Sequence, residues 1–278
     1  MMLRVTLVAL GVLFGGAALP VRAETAAVEV EADTYALMRI PELLEVMQAE
    51  GQDYGRTLAG QMFDDPDRPG WDATVAGIYE TGRLDRLFRA AFDQALTGTA
   101  ATRAAAAAFS GPSRGKTILG LEIEARRALL DEAVEEAAAP FGDMEERRDP
   151  RVGLLREFAE VNDLIEANVA GAMNANLAFL KAMAAVGGEA QDEGGMLAEV
   201  WGQEGQVRAE TEAWLFPFLA LAYQPLSDEE LKAYVAFSAS PEGQRLNLAL
   251  FAAFDAVFTA VSADLGRAAG LELRGQDI

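Results

Sequence analysis

Apolar residues recur at helical spacing along most of the chain, and alternating strand patterns are scarce. Pro41 suits the first turn of a helix, and Leu43, Leu44, Met47, Tyr54, Leu58 and Met62 follow on one face. Asp64 to Gly70 (DDPDRPG) predicts a turn. Trp71 to Leu96 predicts an amphipathic helix with a soft point at Thr81-Gly82. A short helix over Ala100–Phe109, a turn over Ser110–Gly115 and a long helix over Lys116–Ala139 come next. Pro140 to Pro150 (PFGDMEERRDP) reads as a linker between a first unit, 24–139, and a second part, 151–278. There Leu154, Phe158, Val161, Ile165, Val169, Met173, Leu177, Leu180 and Met183 step by three and four. That stripe predicts one helix over 151–186, roughly 45 Å long, ended by Gly187-Gly188 before a Gly- and acid-rich loop at 189–195. Met196–Ala222, Ser227–Phe237 and Pro241–Leu265 complete the set, with a capping box at Ser227 and Glu230. The fold class is all-α: a bundle of about eight helices, arranged as two related units bridged by one long helix.

The two units carry a weak internal repeat at an offset of 128 residues. Leu87-Phe88 matches Leu215-Phe216, Ala108-Phe109-Ser110 matches Ala236-Phe237-Ser238, and Gly115 matches Gly243. Each copy reads as a long helix, a short helix, a Phe-Ser-x-x-x-x-Gly turn and a closing helix. The closing helices differ. Copy one has Glu122, Glu124, Arg126 and Arg127 where copy two has Leu250, Ala252, Phe254 and Asp255. The second closing helix should therefore be packed on two sides, by the long helix and by the first unit, and the first should be half exposed.

The first 23 residues read as a secretory signal peptide: Arg4, an apolar run from Val5 to Leu19, and small residues at Val21 and Ala23 for cleavage after Ala23. Localisation in the periplasm follows as an expectation, with no membrane span in the mature chain. Composition narrows the chemistry. The chain has no His and no Cys, which closes imidazole and thiolate catalysis, His- or Cys-ligated metals and disulfides. The net charge of -21 argues against nucleic acid and anionic membrane surfaces. No cofactor and no metal is expected.

The stretch 226–244 (LSDEELKAYVAFSASPEGQ) resembles the bacterial family called domain of unknown function 2059. Its marks are an acidic helix start, an aromatic residue, Ser-Pro-x-Gly and a closing helix. Trp71–Leu96 and Phe109–Asp131 resemble a degenerate first copy, with Pro112 one place early relative to Pro241. The resemblance implies an exported all-helical protein and transfers no catalytic residues.

Other motifs weigh little. Gly111 to Thr117 (GPSRGKT) has three residues between its glycines where a phosphate-binding loop needs four, and follows an Ala-rich helix rather than a strand. Ser113-Arg-Gly-Lys116 matches S-x-x-K without its companion elements. Asp65-x-Asp67-x-x-Gly70 is half a calcium loop, with Pro69 and Ala76 where ligands belong. Carboxylates remain: Glu122, Glu124, Glu132, Glu135 and Glu136 are candidates, but Glu122 has Arg126 four residues on, so solvated helix pairs are the expectation. Asn162, Asn168, Asn174 and Asn176 sit beside the long apolar stripe, where one or two should make buried interhelical bonds or line a ligand groove. Glu122, Arg126, Asn162 and Asn168 are the candidate binding residues. The expected function is a non-enzymatic periplasmic binding or envelope-associated module for an unknown protein or small molecule. A carboxylate-dependent hydrolase is the alternative. A monomer is expected, with a homodimer as second choice.

Overall fold

In the computed structural model, which describes residues 34–97, 100–104, 113–130, 140–187 and 193–276, twelve bounded helices and no strand are found among the described residues. The expected signal peptide, Glu132, Glu135, Glu136 and residues 110–112 of the expected turn lie outside them.

The first helices are α1 (Thr34–Leu37), α2 (Ile40–Met62), α3 (Trp71–Ile78) and α4 (Thr81–Ala95). The soft point at Thr81 is a full break: the Glu80 carboxylate caps the backbone N–H groups of Gly82 and Arg83, each at 2.7 Å. The helices α2 and α3 cross closely because Gly51 and Gly55 leave room for Tyr79 and Val75. Residues 100–104 are helical, and α5 (Ser113–Ala128) follows.

The expected linker contains a packed helix. Pro140–Glu146 forms a short helix, α6, and Phe141 stacks on Phe216 at 4.9 Å between ring centroids. The apolar Phe141 inside the charged stretch has a core to enter. One continuous apolar core runs from Tyr35 to Ala269 through both units.

The long helix is also broken, into α7 (Arg151–Val161) and α8 (Leu164–Gly187). Asn162 leaves helical geometry and Asp163 takes a left-handed φ of 52°, which short polar side chains tolerate. The carbonyls freed by the break are capped from elsewhere. The Gln244 amide donates to Val161 O and the Asn247 amide to Asn162 O at 2.8 Å. The apolar stripe therefore splits. Phe158 enters the main core and Val161 and Ile165 are half-buried, while Val169 and Met173 meet Val200 in a smaller cluster.

Next come α9 (Glu193–Trp201), α10 (Glu204–Tyr223), α11 (Asp228–Ser238) and α12 (Pro241–Gln276). The expected helix 196–222 is thus interrupted at Gly202-Gln203. The capping box on α11 is formed as read: Ser227 Oγ accepts from Glu230 N, and Glu230 accepts from Ser227 N at 2.9 Å.

The central element is α12, longer than expected. It packs along α8 on one side and on α4 of the first unit on another. Leu246, Leu250, Ala253, Phe254, Val257, Val261 and Leu265 are buried, and Leu248 is 67% exposed. Close approach to α8 needs Gly266 and Gly270, because a Cβ on Gly266 would overlap the Phe179 carbonyl. Arg68 holds Glu272 at 2.9 Å, and Arg83 pairs with Asp264, tying the first unit to this helix. By length and composition alone, Leu164–Gly187 and Pro241–Gly275 could cross a membrane; here they pack on each other in the core.

The repeat is visible in the element ends. Ala95 and Tyr223 end the first long helices, and Ser113 and Pro241 start the closing ones, each pair 128 residues apart. The packing is reciprocal. The first helix of copy one, α4, packs on the closing helix of copy two, α12; the first helix of copy two, α10, packs on the closing helix of copy one, α5. Among the described residues, the two long helices within a copy barely touch.

Candidate functional site: a buried carboxyl at the crossing of the two units

The two reciprocal crossings are built from different chemistry. At the α4–α12 crossing, Phe88 meets Phe254 edge-on at 4.9 Å, beside fully buried Leu250. The positions of Leu250 and Phe254 correspond to Glu122 and Arg126 on α5. These two were expected on a solvated face as an i,i+4 pair. The structure corrects this: Glu122 is 2% exposed and Arg126 3%. They lie on the same face as Ile118, Leu119 and Ile123, and that face packs on α10 and α2. The expectation failed because the face that is apolar in copy two is buried in copy one as well.

Nor do they pair with each other. The Arg126 guanidinium donates to both carboxylate oxygens of Glu50 on α2, at 2.6 and 2.7 Å. This bidentate fork compensates the buried guanidinium. Glu122 Oε1 instead accepts two phenol hydroxyls, from Tyr223 at the end of α10 at 2.6 Å and from Tyr234 on α11. Glu122 Oε2 has no hydrogen-bond partner. Phe158 of α7 lies against both phenol rings, at 5.3 Å from Tyr223 and 4.5 Å from Tyr234. Arg151 fixes the local backbone by donating to Tyr223 O at 2.8 Å and Leu226 O at 2.9 Å.

Desolvation dominates the electrostatics. Burial pushes the Glu122 carboxyl up to about 8, against the downward pull of the two tyrosine hydroxyls. Both tyrosines are raised well above the ordinary phenol range, first by burial and then by the charge of Glu122. A neutral, hydrogen-bonded carboxylic acid is the favoured form at neutral pH.

That direction gives a signed prediction. The unfolded carboxyl titrates near 4.5 and the folded one near 8. Across this window the folded chain holds one more proton, so the group's contribution is complete below pH 4.5 and lost as pH rises toward 8. Glu122→Gln copies the neutral acid and does not titrate. Relative to the parent, it should gain about 3 kcal/mol of stability between pH 4.5 and pH 7. Denaturant titrations of both proteins at the two pH values measure the gap; an unchanged gap would mean that the carboxyl is not desolvated. A solvated helix pair would instead change stability by less than about 1 kcal/mol on Glu→Gln replacement. Only Glu124, exposed and paired with Arg127, keeps that expectation.

The asparagines are placed differently from expectation. The Asn162 and Asn168 amides donate within their own segment, to Phe158 O at 2.9 Å and Leu164 O at 2.6 Å. The buried interhelical bond at the break comes from Asn247, which the sequence did not single out. Asn174 reaches Asp255 and Asn176 reaches Gln203, at 2.9 and 3.1 Å. Asn162 bonds the backbone of Phe158, whose ring packs on the tyrosine pair, and Asn168 bonds only within α8. Tyr223, Tyr234 and Glu50 were missed. Tyr234 was legible only as the aromatic of the 226–244 stretch, and Tyr223 and Glu50 carried no signal, since what selects them is contact across more than 70 residues.

The half calcium loop is an exposed turn in which Asp65 accepts from Asp67 N. Among the described residues, no group of three or more acidic side chains is placed to hold a metal ion. No family model, curated protein or solved structure matches the chain.

Proposed function

We propose that this chain is an exported, non-enzymatic helical module of the cell envelope that binds a protein or small-molecule ligand, and that it belongs with the domain of unknown function 2059 proteins that residues 226–244 resemble. One observation carries the non-enzymatic reading. The desolvated acid Glu122 is sealed in the core, and the carboxylate beyond it, Glu50, is neutralised by Arg126. Carboxylate hydrolysis needs an acid and a base open to one substrate bond. Self-association through the closing helix of copy two is disfavoured because that face is filled by α8 and α4.

The location rests on Arg4, the Val5–Leu19 run and Val21-x-Ala23. The protein recovered from a periplasmic extract should begin at Glu24. Intact Met1 or Met2 on protein from a membrane fraction would overturn the periplasmic assignment. Cross-linking in the intact periplasm, followed by identification of bound proteins and small molecules, tests the binding role. Turnover of envelope substrates that disappears in a folded Glu122→Gln protein would replace this reading with a hydrolase.

A further inference from the structure

We propose that Glu122 is a proton-operated latch: when it loses its proton, the closing helix of the first copy, α5, is freed from α10 and α11, while the α4–α12 crossing stays shut. The geometry supplies the device. One side chain on α5 ties together helices of the second copy, because its Oε1 accepts a hydroxyl from α10 and another from α11. Its Oε2 accepts none. As a neutral acid the group keeps both phenol hydrogen bonds on Oε1 and leaves only an uncharged O–H at Oε2 without an acceptor. As a carboxylate it places charge on a fully buried oxygen without a donor, which the core resists.

The surrounding charges do not relieve that ionisation. On α5, Arg126 is engaged by Glu50 of α2, and Glu124 pairs with Arg127 on the outer face. From α10 and α11 come Tyr223 and Tyr234, both held neutral. Tyr79, following α3, and Tyr54 of α2 lie on the Glu50 side and are raised by burial. Arg151, the first residue of α7, donates to the Tyr223 and Leu226 carbonyls, not to Glu122. Burial accordingly lifts the carboxyl to about 8, within reach of mildly alkaline conditions.

The second crossing is the internal reference. Leu250 and Phe254 stand at the equivalent positions and carry no proton to lose. Deprotonation therefore loosens one crossing of a matched pair. The movement is a local opening, not global unfolding, since α12 keeps its contacts with both α8 and α4.

The test is amide hydrogen exchange on the full chain from pH 5 to pH 9, corrected for intrinsic exchange rates. Exchange in 118–128 should rise about tenfold per pH unit up to about pH 8 and then level off, the slope of one released proton. Exchange in 246–265 should stay flat. Glu122→Gln should abolish the slope in 118–128, and Tyr223→Phe, which removes a hydroxyl that favours the charged form, should move the level-off point upward. Should Glu122→Gln fail to fold, Glu122→Leu, carrying the residue of the other crossing, must show no slope. A slope that persists in either variant, parallel loss of protection in 246–265, or an unmoved level-off point in Tyr223→Phe would each overturn the latch.

Discussion

Leu250→Asp should leave the purified protein unfolded at room temperature. Leu250 is fully buried on α12, next to Phe254, which packs edge-on against Phe88 from the first unit. The helix is flanked by α8 and α4, so a carboxylate there has neither water nor a cation to compensate it. Burying an unpaired charge costs several kcal/mol beyond the lost apolar transfer, and a domain has only about 5–15 kcal/mol in total. Circular dichroism and size-exclusion chromatography on the variant decide the matter. A folded Asp variant that has changed from oligomer to monomer would instead make this face an association surface.

Phe158→Ala should destabilise the protein by about 3–5 kcal/mol, the usual cost of emptying a buried aromatic site. Phe158 is buried on α7 and its ring touches both Tyr223 and Tyr234. The cavity would lie against the rings of the two tyrosines that hold Glu122, so the variant should also alter the pH dependence of stability. Urea denaturation at two pH values reads both effects. A variant that melts within a degree or two of the parent would show that this stretch does not face the core.

Helical periodicity made the class of the fold legible, and the repeat made its plan legible. Pro241 starts a closing helix and Ser227 caps the helix before it, both as their local chemistry requires. What escaped was set by tertiary partners. A stripe of apolar residues stepping by three and four runs through Val161 and Ile165 without a fault, yet the helix breaks between them. The break is stabilised by amides of Gln244 and Asn247, more than 80 residues away. Phe141 turned a charged, proline-bounded stretch into a packed helix because a ring at Phe216 was waiting for it. Glu122 and Arg126 looked like a surface pair because i,i+4 spacing is what surface pairs show. Their true partners, Glu50, Tyr223 and Tyr234, are met only after the chain has folded. The comparison with Leu250 and Phe254 pointed the wrong way, to a half-exposed helix, because a buried face can hold charged residues when partners reach them from other helices.

The reciprocal packing of the repeat has a consequence for how the chain can be divided. The two long helices of each copy lean on the opposite copy and barely on each other. A fragment ending before α7 would hold α4 and α5 without the partners that bury Phe88, Ile118 and Ile123. Such a half would expose its apolar faces and recover them only by pairing with another half, its own kind or the complementary one. The arrangement is that of two intertwined copies written into a single polypeptide. Cleavage between the copies, in residues 147–150 after α6, should yield two pieces that stay together until denatured.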